Sequence, residues 1–179
     1  MSLVQLLRRH LADAMAVFMS VIFLDSLRFK FTNAPETQSI FGKLDAWSAS
    51  LGAPGLLAHT GLFIQNVIGT VELFAAVLLL AGIHPRLRHW QAGGALAALA
   101  VMAGAVGFHT LTPLGTDPNN DGGGLFIAAC LNLVFAVVMV TVLRRGELLA
   151  VLGRIGAAIG PAPGPAATAD LPRAKARMA

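Results

Sequence analysis

Charge is scarce in this chain. Charged residues fill 12% of its 179 positions while hydrophobic ones fill 56%, and the mean hydropathy is +0.72. A water-soluble domain of this length carries far more charge, so lipid is the expected solvent. Cysteine is nearly absent: Cys130 stands alone inside an apolar run, which excludes an intrachain disulfide and a CxxC pair, and with them dithiol chemistry by the chain on its own. There is no helical HxxxH pair. His59 and His109 share one side of the expected topology without a Cys partner, so no metal site is expected, and His84 and His89 read as interfacial polar groups. The net charge of +4 and pI near 10.2 come from short basic clusters beside apolar runs. No basic stripe with interleaved aromatics is present, so nucleic acid is not an expected partner. The N-terminal run, basic and then apolar, has no small-x-small cleavage site after it, and it reads as a retained first span.

Long apolar runs are what the chain has. A hydrocarbon core about 30 Å thick takes roughly 20 helical residues, and four segments meet that length: about 11–29, 60–83, 91–110 and 124–143. With these spans Arg8, Arg9, Arg86, Arg88, Arg144, Arg145, Arg154, Arg173, Lys175 and Arg177 fall on one side, and Arg28, Lys30 and Lys43 on or near the other. The excess of basic residues marks the cytoplasmic side. The expected fold is an all-α membrane protein, a four-transmembrane-helix bundle with both ends inside. Between the first two spans Ile40, Phe41, Leu44, Trp47 and Leu51 recur at helical spacing, which predicts a helix on the outer membrane surface. Trp47 and Trp90 fit interfacial anchors. The third span has small residues, Gly93, Ala97, Gly104 and Ala105, at three- and four-residue spacing; close helix packing is the simplest reading. After Arg145 an amphipathic stretch is expected along the inner surface. Residues 1–160 thus form the transmembrane domain, and 161–179, rich in Pro and Ala, a disordered basic tail.

An ionisable or strongly polar group within a span is costly unless paired or hydrated, and is a candidate functional residue. Glu72 falls near the centre of the second span and Asp25 in the outer half of the first, with Arg28 one turn away as a partner for either. Gln65 and Glu72 share a helix face, His109 ends the third span and Asn132 lies two turns into the fourth. The functional reading groups Asp25, Arg28, Gln65, Glu72, His109 and Asn132 in a polar pocket that holds a quinone head group or relays protons. The alternative is an interhelical hydrogen-bond network that fixes packing. In the outer loop, Asn119, Asn120 and Asp121 within PNNDGGG form dense turn chemistry that can present groups to a ligand or partner.

Two stretches resemble the DoxX-like family of membrane proteins: FLDSLRFKFT, from Phe23 to Thr32, matches its first-span pattern FLxxGxxKF, and GTVELFAAVLLLAG, from Gly69 to Gly82, its second-span pattern GxxExxxGxLLLxG. Leu27 and Ala76 stand where the family has Gly. The KFT ending followed by Pro and Glu is similar to the branch associated with resistance to reactive chlorine. The resemblance, from about Met15 to Leu143, implies a four-helix bundle in the bacterial inner membrane, with relatives that include a subunit of a thiosulfate:quinone oxidoreductase and proteins tied to oxidative or thiol stress. By position it singles out Lys30 and Glu72.

Three functions follow as expectations. The first is an accessory or quinone-contacting subunit of a redox or stress-response system, docked on another membrane or periplasmic protein or on a second copy. The absence of any cofactor motif argues against the chain acting as an enzyme alone. The second is a small-solute transporter or channel, which a membrane-centre carboxylate permits but for which no inverted repeat is visible. The third is a structural subunit whose polar groups serve only packing.

Overall fold

The computed structural model describes residues 2–58 and 65–159; His59 and the start of the expected second span, and the expected tail at 161–179, lie outside the described residues. All regular structure among the described residues is helical: α1 (Leu3–Phe31), α2 (Pro35–Ser50), α3 (Gln65–Ala81), a 3₁₀ turn (Pro85–Leu87), α4 (Arg88–Leu111), α5 (Gly124–Val138), a π turn (Met139–Leu143) and α6 (Arg145–Ile159). Three stretches are long and apolar enough to cross a membrane: Leu3–Phe31, Pro85–Leu111 and Gly124–Leu143. The fourth apolar helix, α3, is described over 17 residues, about 25 Å at the rise of an α-helix.

Each helix buries a narrow stripe and turns the rest outward. On α1 the buried residues are Ala12, Ala16, Met19, Ser20, Phe23 and Leu27, the three- and four-residue recurrence of one helical face. Val17, Val21 and Leu24 on the other faces are exposed, which in water would be costly and in hydrocarbon is not. The shared core is built mainly of Ala and Met, with Ala16, Met19, Phe23, Ala75, Leu79, Ala95, Ala98, Met102, Ala136 and Met139 in one cluster.

Small residues set how closely the helices approach. A Cβ at Gly94 would lie 2.8 Å from the Leu79 backbone nitrogen and 2.9 Å from the Ala75 oxygen, and one at Gly82 would lie 2.4 Å from the Gln91 nitrogen. Bare backbone at both ends of the contact therefore lets α3 and α4 pack directly after the tight turn that joins them. Of the small residues expected to form the close-packing face, Gly93 has one side-chain neighbour, Leu78, at 3.8 Å, and Gly104 has nothing within 4 Å. The contact runs through Gly94 instead, because the face of α4 that meets α3 is the one carrying Gln91, Gly94, Ala95 and Ala98.

α2 is present where helical spacing placed it. It starts at Pro35, whose fixed φ suits a first helical position, and seats Leu44 against Leu57 and Leu114, with Ile40 and Phe108 beside them. Trp47 meets the Phe108 ring edge-on at 6.4 Å. These contacts fold α2 over the end of the bundle where α1 and α4 finish, called here the loop end; the opposite end carries the N terminus, the α3–α4 turn and α6.

Candidate functional site

Glu72 is 3% exposed on α3, and its charge is met by the first helix. Lys30 Nζ lies 2.9 Å from Oε2 and 3.1 Å from Oε1, and its third hydrogen bond goes to Ser26 Oγ at 3.1 Å. The Ser26 hydroxyl donates to Glu72 Oε2 at 2.6 Å. Ser26 and Lys30 are one turn apart on α1, so both reach the same carboxylate. About two turns toward the loop end on α3, Gln65 Nε2 donates to the Lys30 carbonyl at 3.1 Å and to Asn33 Oδ1 at 2.6 Å. Deeper in the bundle, Ser20 Oγ lies 2.8 Å from the Ala16 carbonyl and 3.3 Å from the Ala76 carbonyl. A column of polar contacts thus runs down the α1–α3 seam, with the ion pair as its charged member.

The column opens into a cleft. A cavity of about 290 Å³ at the loop end is lined by Asn33, Gln38, Asp45 and Gln65 together with Phe41 and Leu57. Asn33 takes a left-handed backbone conformation, φ 54°, which Asn tolerates better than most residues, and its carbonyl accepts from Gln38 Nε2 at 2.7 Å. Asp45 accepts from the Gly55 amide at 3.1 Å.

The remaining candidates stand elsewhere. Arg28 pairs with Asp25 at 2.9 Å, with side chains 67% and 57% exposed, and its guanidinium lies 4.5 Å over the Phe29 ring. These two residues fall off the α1 face that carries Ser26 and Lys30, so Lys30, not Arg28, is the partner of Glu72. His109 is buried, with Nδ1 2.6 Å from the Gly115 carbonyl. That oxygen can only accept, so Nδ1 carries the proton and His109 ties the 112–123 loop to α4. Its ring also packs on Phe126 at 5.4 Å. Within the loop Asp121 accepts from the Gly123 and Leu125 amides, each at 3.0 Å. The Leu125 hydrogen bond is the main reason its carboxyl titrates below the usual range, as expected of a carboxylate at a helix start. Asn120 is exposed at φ 55°, and Asn119 is half-buried. Asn132 is fully buried, and neither atom of its amide finds a partner among the described residues.

A second polar cluster, at the opposite end, joins residues that reading by spans did not single out. Arg144 is 4% exposed; its Nε donates to Gln91 Oε1 at 2.5 Å, and Nη2 lies 3.6 Å from Asp13 Oδ1. Gln91 Nε2 in turn reaches Asp13 Oδ1 at 3.3 Å. The π turn before Arg144, closed by its amide on the Met139 carbonyl at 2.7 Å, rotates this arginine inward while Arg145 stays exposed. Burial lowers the Arg144 pKa, opposed by the Glu147 carboxylate, yet a guanidinium stays charged. The sequence signal for this cluster is Asp13, since a carboxylate inside the first apolar run needs a partner. Among the described residues no group of His, Cys, Asp and Glu is arranged to hold a metal ion.

No family model, no curated protein and no solved structure matches this chain.

An enclosed amide without partners costs about 1–3 kcal/mol. Asn132→Leu, close in volume, is therefore expected to raise stability by about 1 kcal/mol or more, read as a shift in the denaturing-detergent midpoint. A loss of stability would mean that the amide is bonded in the membrane.

Proposed function

We propose that this chain is a DoxX-like membrane protein of the bacterial inner membrane, an accessory subunit of a redox or stress-response system that contacts quinone through its loop-end cleft. In this reading the bundle has four spans with both ends cytoplasmic. The observation that carries it is the Lys30–Ser26–Glu72 triad, joined through Gln65 and Asn33 to a cleft of mixed amide and apolar lining. A quinone ring has two carbonyl acceptors and an apolar body. Gln38 Nε2 keeps one N–H beyond its bond to the Asn33 carbonyl, which suits a quinone carbonyl, and Phe41 and Leu57 suit the ring, while Gln65 spends both N–H groups on Lys30 and Asn33 and holds the wall. Gln65 meets the triad at the Lys30 backbone carbonyl, so the Lys30–Glu72 pair holds the wall of the cleft in place. The family assignment rests on FLDSLRFKF and GTVELFAAVLLLAG, whose two polar positions are the residues that pair. A partner protein is part of the same proposal, since the sequence carries no cofactor motif with which the chain would move electrons by itself.

A second reading has an observation in its favour. Every donor of Lys30 is used within the triad, as in a lock between α1 and α3 that has no ligand at all. Titration of the purified full-length protein with a short-chain ubiquinone separates the two. The quinone reading predicts saturable binding that Gln38→Ala weakens roughly tenfold, the effect of losing about 1.4 kcal/mol of polar contact. No saturable binding by a folded protein would leave the lock. Topology is checked independently: a periplasm-active reporter inserted after Thr116 is expected to be active, and activity of the same reporter fused after Ala179 would overturn the orientation.

A further inference from the structure

We propose that the end of the bundle opposite the cleft carries a binding site for an anionic phospholipid, with its phosphate at Arg9 and His10 and one acyl chain along α1. A shallow, open groove runs there from His10 and Asp13 past Val17, Phe18 and Val21, with Ile83 on its far wall. His10 and Val21 are eleven residues apart on α1, about 16 Å along the axis. The groove thus starts among charged groups and ends well inside the apolar part of the helix, the shape of a head group with a chain beneath it.

Charge selects the head group. Arg9 Nε is buried without a hydrogen-bond partner, and the nearest carboxylate oxygen, on Asp13, is 3.8 Å away. That exceeds the 2.7–2.9 Å typical of a charge-assisted hydrogen bond. The same carboxylate is already shared with Gln91 and Arg144, so one acceptor faces several donors. Arg8 is committed to the Val142 carbonyl at 2.6 Å. Arg144, bonded to Gln91 through Nε, also leaves Nη2 without a partner but is buried inside the bundle. The Arg9 side chain is one-third exposed next to His10 of the groove, so Arg9 is the under-bonded cation that a head group can reach. On the other wall, Ile83 leads into the turn that holds Arg86 and Arg88, neither of them ion-paired among the described residues. A phosphodiester oxygen supplies the acceptor that this set lacks, and cationic pockets at membrane interfaces select anionic lipids in this way. A zwitterionic lipid fits the apolar wall equally well and brings the same phosphodiester, but its ammonium group cancels the net charge and is repelled by the basic rim, so it gains less. This inference is independent of the quinone reading, which concerns the other end of the molecule.

Lipid binding to the full-length protein in detergent is measured by native mass spectrometry, with phosphatidylglycerol and phosphatidylcholine of identical chains competing, and inorganic phosphate tested in a parallel unfolding experiment. The expected result is a several-fold preference for phosphatidylglycerol and no stabilisation by phosphate alone. Arg9→Gln cuts the preference roughly fivefold, the effect of one interfacial cation, while Arg28→Gln at the opposite end leaves it intact. Should Arg9→Gln fail to fold, Arg86→Gln is expected to lower the preference in the same direction. Equal binding of the two lipids, a preference retained in the folded Arg9 or Arg86 variant, or stabilisation by phosphate equal to that by the lipid would overturn the proposal.

Discussion

Placing a carboxylate in the middle of an apolar helix is the constraint around which one half of this molecule is arranged. Glu72 has almost no access to solvent, and taking its charge out of water costs several kcal/mol. The sequence meets that cost on the neighbouring helix, where Ser26 and Lys30 are one turn apart and face α3. The need to keep ammonium and carboxylate in register fixes the rotation of α1 against α3. That rotation in turn brings Ser20 against the Ala76 carbonyl and Leu27 and Phe31 against the bare backbone of Gly69. Gln65 and Asn33 then inherit their positions, since Gln65 must reach the carbonyl of the same Lys30. The cleft at the loop end is the space left between this column and α2.

The opposite end solves the same problem with different parts. Asp13 is neutralised by Arg144, delivered inward by a π turn, and Gln91 bridges the two. Direct contact of α3 with α4 at Gly82 and Gly94 sets where Gln91 sits. Between the two clusters lies a layer of Ala, Met, Leu and Phe in which, among the described residues, Ser20 and the unpartnered Asn132 are the buried polar groups. The bundle is therefore held by a charged seam at each end and by close apolar packing in its middle, an arrangement suited to lipid, where burial of apolar surface drives nothing.

Much of this was legible in the sequence, and the exceptions have physical causes. Apolar run length gave the helices, and the spacing of Ile40, Leu44 and Trp47 gave α2, because periodicity is a property of one segment. Glu72 and Gln65 were recognised for the same reason. Partner choice depends instead on how one helix is rotated against another, which no single segment encodes. Depth and spacing point to Arg28 as the partner of Asp25 or Glu72, whereas the helix face shared by Ser26 and Lys30 gives Glu72 to Lys30. The grouping of His109 with Glu72 rested on depth alone, whereas His109 turns to the Gly115 carbonyl. The inward turn of Arg144 is not legible in the sequence because it depends on a π turn, and MVTVL carries no obvious sign of one.

The central claim is that Lys30 and Glu72 form an energetically coupled pair that sets the α1–α3 register. A double-mutant cycle with Lys30→Met and Glu72→Gln, each variant unfolded in a denaturing-detergent titration, tests it most directly. The account predicts that the double change costs less than the sum of the two single changes, with a coupling energy of about 2 kcal/mol. Additive losses, with coupling near zero, would contradict it.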